Sequence, residues 1–187
     1  VGNRMTKAEL TVNYRTPRQV VELAERVALD AGLRISHAQA VRDADELPQL
    51  ESVASREELP AAVVAALEAG TTAVPGGLAA VVTSVADVDT LRAAVVQRFG
   101  ARVGTGAGDA AAGQDILVLN ATEAKGLEFD VVVVADPGAV LRDSEGSVCN
   151  LYVALTRTTQ FLAVLSIGSD APAALLPVAQ TAGTSAD

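Results

Sequence analysis

Two arginines far apart in the chain, Arg15 and Arg157, each lie in a short cassette of unusual composition. The first is Leu10-Thr11-Val12-Asn13-Tyr14-Arg15-Thr16-Pro17, and the second is Asn150-Leu151-Tyr152-Val153-Ala154-Leu155-Thr156-Arg157. Between them runs Glu123-Ala124-Lys125-Gly126-Leu127-Glu128-Phe129-Asp130, followed by an apolar stretch. A guanidinium is permanently charged and presents a planar fork that matches phosphate oxygens, so two of them held by rigid elements suggest a polyphosphate site. The sequence holds no Gly-x-x-x-x-Gly-Lys-Ser/Thr loop, so such a phosphate would have to be cradled by something else.

Each residue also has a plainer reading. Tyr14 and Arg15 could be a strand-edge tyrosine and an arginine paired with a carboxylate. Alternatively, Tyr14 offers a ring face to a nucleobase, and a turn at Thr16-Pro17 lets its neighbour Arg15 reach the same nucleotide. Lys125 and Glu128 could be a solvated pair, while Glu128 could equally accept from a ribose hydroxyl. Gly126 permits either a tight turn or the close approach of a ligand to the backbone. Arg157 could complement the dipole at a helix end or act as an arginine finger on a transferring phosphate. Cys149 reads as a small buried apolar residue, Asp136-Pro137-Gly138 as a turn, and His37 has no assigned role.

The elements that must position these residues follow from the apolar pattern. Residues 9–12 read as a short strand, with Thr16 as N-cap and Pro17 opening an amphipathic helix over 17–30 that Gly32 stops. Residues 36–60 are mixed in character, with a strand expected near 50–54 and a helix over 56–69 capped by Ser55. Further strands are expected at 78–83, 116–119, 131–135 and 161–167, and helices at 88–99 (opened by Asp87) and 148–156. The glycine- and alanine-rich stretch 104–113 reads as a surface connection. Strands alternating with helices imply a parallel sheet with helices on both faces. Ligands of such sheets are expected beyond the carboxyl ends of the strands.

Composition bounds the rest. The 187 residues suit one domain, here residues 1–168, with 169–187 expected to be a flexible tail. Half the residues are hydrophobic but only 3% aromatic, so the core must be aliphatic, as in a parallel sheet buried on both faces. A net charge of −9 disfavours a chain that grips nucleic acid over its whole surface. One cysteine and one histidine exclude a disulfide framework and a zinc site, and fit a cytoplasmic setting. No apolar stretch approaches the ~20 residues of a membrane span. The start at Val1 rather than Met is read as that of a fragment of a longer protein.

In order and spacing, Asn13-Tyr14-Arg15, Lys125-Gly126-Leu127-Glu128-Phe129 and Tyr152-Val153-Ala154-Leu155-Thr156-Arg157 resemble motifs IV, V and VI of superfamily 1 helicases of the UvrD/Rep type. The resemblance runs from about Leu10 to Ile167. It implies a RecA-like α/β domain, the second (2A-type) of two motor domains, which explains arginines without a phosphate loop. By motif, Tyr14 would stack on adenine, Arg15 and Arg157 would contact the γ-phosphate, Glu128 would hold the ribose and Gly126 would shape the loop nearby. ATP and magnesium would be held mainly by an N-terminal RecA-like partner domain, and no metal ligand or tightly bound cofactor is implied for this chain alone.

Unwinding relatives commonly carry Thr and His in motif V where this chain has Asn120 and Thr122. The histidine is associated with the single-strand track, so its absence counts against DNA unwinding. The wording around Lys125 and Tyr152 is nearer the HelD branch, whose members act on bacterial RNA polymerase. The chain also leaves no room for a large 2B-type insertion between motifs IV and V. The rival expectations are a true 3′–5′ DNA helicase and a non-catalytic α/β interaction domain.

Overall fold

A computed structural model describes residues 12–13, 15–33, 39–40, 42–43, 47–104, 113–143, 147–168 and 171–176. Among the described residues, seven strands and five α-helices follow in chain order: β1 (Val12–Asn13), α1 (Arg18–Asp30), β2 (Gln39–Ala40), β3 (Gln49–Val53), α2 (Leu59–Ala73), β4 (Ala79–Thr83), α3 (Val88–Phe99), β5 (Ile116–Asn120), β6 (Phe129–Ala135), α4 (Pro137–Arg142), α5 (Ser147–Leu155) and β7 (Thr158–Ile167). β1 and β2 form a small parallel pair, and the other five strands make one parallel sheet in the order β3-β7-β6-β4-β5.

The valine run of β6 explains the layering. Successive strand side chains point to opposite faces, and here both faces are covered. Val131, Val133 and Ala135 join Leu59, Val63 and Leu67 of α2 and Leu91 and Val95 of α3 in one core. Val132 and Val134 join Val20, Leu23 and Val27 of α1 and Leu151 and Leu155 of α5 in the other. From Val131 onward the strand is buried on both sides and has no polar position to spare, which is why that run is unbroken. β3 is the opposite case. It pairs only with β7 and leaves Gln49, Glu51 and Ser52 exposed, so its sequence carries little apolar signal.

Several expected caps are absent. The Thr16 hydroxyl donates to the Thr156 carbonyl at 3.1 Å, and the backbone N-cap of α1 is Pro17 with no side-chain bond. The Ser55 hydroxyl does not cap α2, which begins only at Leu59 with Pro60 in its first turn, where the missing N–H costs no helical bond. Asp87 precedes α3 but accepts from the Ser84 hydroxyl and from Arg56 rather than from the helix. The α1 stop is as expected. Gly32 has φ +77°, and the Gly32 and Leu33 amides bond back to the Leu29 and Ala28 carbonyls, both at 2.9 Å.

Residues 9–11 of the first expected strand, and residues 105–112 of the glycine-rich connection, lie outside the described residues. Beyond Gly168, within the stretch expected as a tail, a single 3₁₀ turn at Ala173–Leu175 buries Leu175 in the α1/α5 core. Among the described residues no helix is long and apolar enough to cross a membrane.

At the amino edge of the sheet, Asp130 ties three strands together. Its carboxylate accepts from the Leu78 amide at 3.0 Å, and from the Thr159 hydroxyl and Gln160 amide at 2.9 Å each. Burial works against the charge, but these three bonds outweigh it and hold the carboxyl below the usual aspartate range. A carboxyl depressed by folding contributes stability above its unfolded pKa of about 3.9, and that contribution is lost as pH falls through its lower folded value. Denaturant unfolding from pH 7 to 2 is therefore expected to show a component of acid destabilisation that Asp130→Asn removes. The variant is expected to be less stable at neutral pH, because its amide group must face a donor.

Candidate functional site

The three cassettes meet at one edge of the molecule. After β5 the chain makes a compact turn closed by its own polar side chains. The Asn120 carboxamide oxygen accepts from the Thr122 and Glu123 amides at 2.9 and 3.0 Å, and the Glu123 carboxylate accepts from the Asn120 amide at 2.9 Å. Ala121 and Ala124 are buried beneath it. Asn120 thus closes the turn, while Thr122 is exposed. The turn ends at Gly126, whose φ of +80° would strain any residue with a Cβ. Leu127 and Glu128 then lead directly into β6.

Both arginines are anchored to this two-residue step. The Arg15 guanidinium donates to both oxygens of Glu128, and that hydrogen bond with the adjacent charge raises the arginine's already high pKa. Arg157 Nη1 donates to the Leu127 carbonyl at 3.1 Å, while the Arg157 carbonyl accepts from the Phe129 amide at 2.9 Å. The Thr16–Thr156 bond stitches the first cassette to the third between the two arginines. The Arg157 Nε–H is buried without a hydrogen-bond partner among the described residues, and an orphaned buried donor is costly.

Arg15, Gly126, Glu128 and Arg157 are therefore brought together, whereas Tyr14 and His37 lie outside the described residues. Several plainer readings change. Arg157 follows the end of α5, as expected, but its guanidinium reaches across to the Leu127 carbonyl. Glu128 pairs with Arg15 rather than with Lys125. Cys149, expected to be buried, is exposed, because α5 turns Leu151, Ala154 and Leu155 toward the sheet instead.

The location also corrects an expectation. Glu128 and Arg157 stand at the amino ends of β6 and β7, not beyond the carboxyl ends of the sheet. The carboxyl end between β4 and β6 is tied by a charge network that sequence reasoning misses. There Asp136, 2% exposed and with φ +48°, accepts from the Ala139 amide at 3.0 Å and from Arg56 at 2.8 Å, while Arg56 also holds Asp87. Asp136-Pro137-Gly138 is thus the capped start of α4 and not a simple turn. The Asp-Pro pair is the available signal, since proline favours the first turn of a helix behind an aspartate cap.

The arrangement suits an anion. Two guanidinium groups lie beside the Leu127-Glu128 step, that of Arg15 exposed, and the Glu128 carboxylate could accept from sugar hydroxyls. Among the described residues no group of three or more His, Cys, Asp or Glu could hold a metal ion.

No protein-family model matches the sequence, and no curated protein matches it. Among solved structures, the chain is similar to the C-terminal domain of a possible DNA helicase from Lactobacillus plantarum WCFS1. The TM-score is 0.66 at 22% identity, over 87% of this chain and 94% of that one. The likeness shows the fold: this chain shares the α/β architecture of that domain, with an all-parallel five-stranded sheet and helices packed on it.

Proposed function

We propose that this chain is the second motor domain of a UvrD/Rep-type superfamily 1 ATPase, nearest the HelD branch. In this reading it lends positive charge to a triphosphate held by an N-terminal RecA-like domain. The observation that carries it is the convergence of Arg15, Glu128 and Arg157, residues from three separate cassettes, on one edge. The likeness to a helicase C-terminal domain gives the fold in which such an edge would face a partner domain.

ATP with magnesium supplies the scissile phosphoanhydride, and the magnesium would be held outside this chain. Arg157 would stabilise charge on the transferring γ-phosphoryl group, and Arg15 would take another oxygen of the same group. Glu128 would accept from the ribose hydroxyls, Tyr14 would stack on adenine, and the Gly126 turn would set the height of Glu128. Closing and opening of the cleft as these contacts form and release would move the two domains against each other.

Alone, the chain is expected to show no appreciable ATP hydrolysis, whereas a protein carrying both motor domains should hydrolyse ATP and lose that activity on Arg15→Ala. Turnover by the isolated chain that disappears with Arg157→Ala would contradict this reading. Full ATPase activity of the Arg15→Ala two-domain protein would favour a non-catalytic interaction domain. For the track, RNA polymerase is the proposed partner. Thr122 in the motif V histidine position supports it over a DNA helicase. Stimulation of ATP hydrolysis by RNA polymerase, without displacement of a DNA strand, is the expected result. Strand displacement would favour the helicase reading.

A further inference from the structure

We infer that Glu128 is a shared partner that holds Arg15 until a ribose takes its place, so that sugar recognition releases the arginine onto the triphosphate. This rests on the proposed ATP site and adds a substrate-selecting device to it. Both Glu128 oxygens accept from the same Arg15 nitrogen. The carboxylate that would receive the sugar hydroxyls is therefore engaged by the arginine that would receive the phosphate.

The pair is built to exchange. Its side chains are 71% and 46% exposed, and solvated ion pairs are weak. A triphosphate offers Arg15 more charge than one carboxylate does. What fixes the geometry lies around the pair rather than in it. The Thr16–Thr156 bond holds the chain beside Arg15, and the Arg157–Leu127 bond holds the chain beside Glu128. Exchange of partners at Glu128 thus needs only side-chain movement on a fixed frame. A ligand with phosphates but no sugar would have to pull Arg15 off Glu128 with only water to replace it, and would bind slightly less well for that reason.

The test measures direct binding of inorganic tripolyphosphate to the protein carrying both motor domains by titration calorimetry, a readout that does not need turnover. Glu128→Gln retains an oxygen that can accept from ribose but removes the charge that holds Arg15. It is expected to tighten tripolyphosphate binding roughly two- to fivefold, the size of an exposed ion pair. That gain should vanish in the Glu128→Gln/Arg15→Ala double variant. An unchanged dissociation constant in Glu128→Gln, or a gain that survives loss of Arg15, would overturn the inference while leaving the ATP site standing. Wild-type ATP hydrolysis by Arg15→Ala alone would instead remove the reading on which both rest.

Discussion

Arg157→Ala in a protein carrying both motor domains is expected to lower the turnover of saturating ATP by about 10³-fold or more, the effect of losing an arginine on a transferring phosphoryl group. The loss should fall on kcat more than on KM, because the contact strengthens as charge develops in the transition state. Arg157→Lys is not expected to restore the rate, since an ammonium lacks the planar fork that reaches phosphate from the Leu127 carbonyl. The fold should survive. The substitution removes one bond at 3.1 Å, but it also removes a buried Nε–H that has no partner among the described residues. Melting of the isolated chain checks that a lost rate is not a lost fold. A less than tenfold change in kcat with an intact melting transition would remove Arg157 from the chemistry.

Phe129→Ala is expected to be the most damaging single truncation near the site, costing about 3–5 kcal/mol in denaturant unfolding of the isolated chain. Phe129 is 2% exposed, opens β6, and packs in the core between the sheet and α1 and α5. Its amide bonds the Arg157 carbonyl and it directly follows Glu128, so a cavity there lies under both. Phe129→Leu keeps most of the volume and should cost less than about 1.5 kcal/mol. A cost for Phe129→Ala no larger than that for Phe129→Leu would show that the aromatic ring does not anchor this edge.

What can be read from the sequence follows from where each signal comes from. β6 is legible because its valines are buried on both faces, and an unbroken β-branched run of that length is characteristic of a strand covered by helices on either side. β3 is placed only loosely, since an edge strand with exposed Gln49 and Glu51 resembles a loop in composition. The caps expected at Thr16 and Asp87 fail for a different reason. Both side chains have the right chemistry for a local bond, but each is claimed by a distant partner: Thr16 by the Thr156 carbonyl, and Asp87 by Arg56. No local pattern reveals such competition.

The candidate residues can be picked out in the sequence, but their placing in the fold cannot. Arg15, Gly126, Glu128 and Arg157 stand out by type and by motif. That Glu128 lies at the amino end of β6 depends on the short crossing from Asn120 to Phe129, and that Arg157 lies at the amino end of β7 depends on the return through α4 and α5, both matters of topology. The Arg15–Glu128 pair depends on the same crossing. Asp136 escapes notice because Asp-Pro-Gly is so often a turn. Its buried carboxylate caps α4 through the Ala139 amide and also pairs with Arg56, which arrives from the end of β3 on the other side of β7.

Whether the two arginines serve one triphosphate is decided by the structure of the protein with both motor domains and a non-hydrolysable ATP analogue bound. Guanidinium nitrogens of Arg15 and Arg157 are expected about 2.7–2.9 Å from γ-phosphate oxygens, with Glu128 turned to the ribose. A bound triphosphate with Arg15 still on Glu128, and with Arg157 still held only by the Leu127 carbonyl, would contradict the assignment.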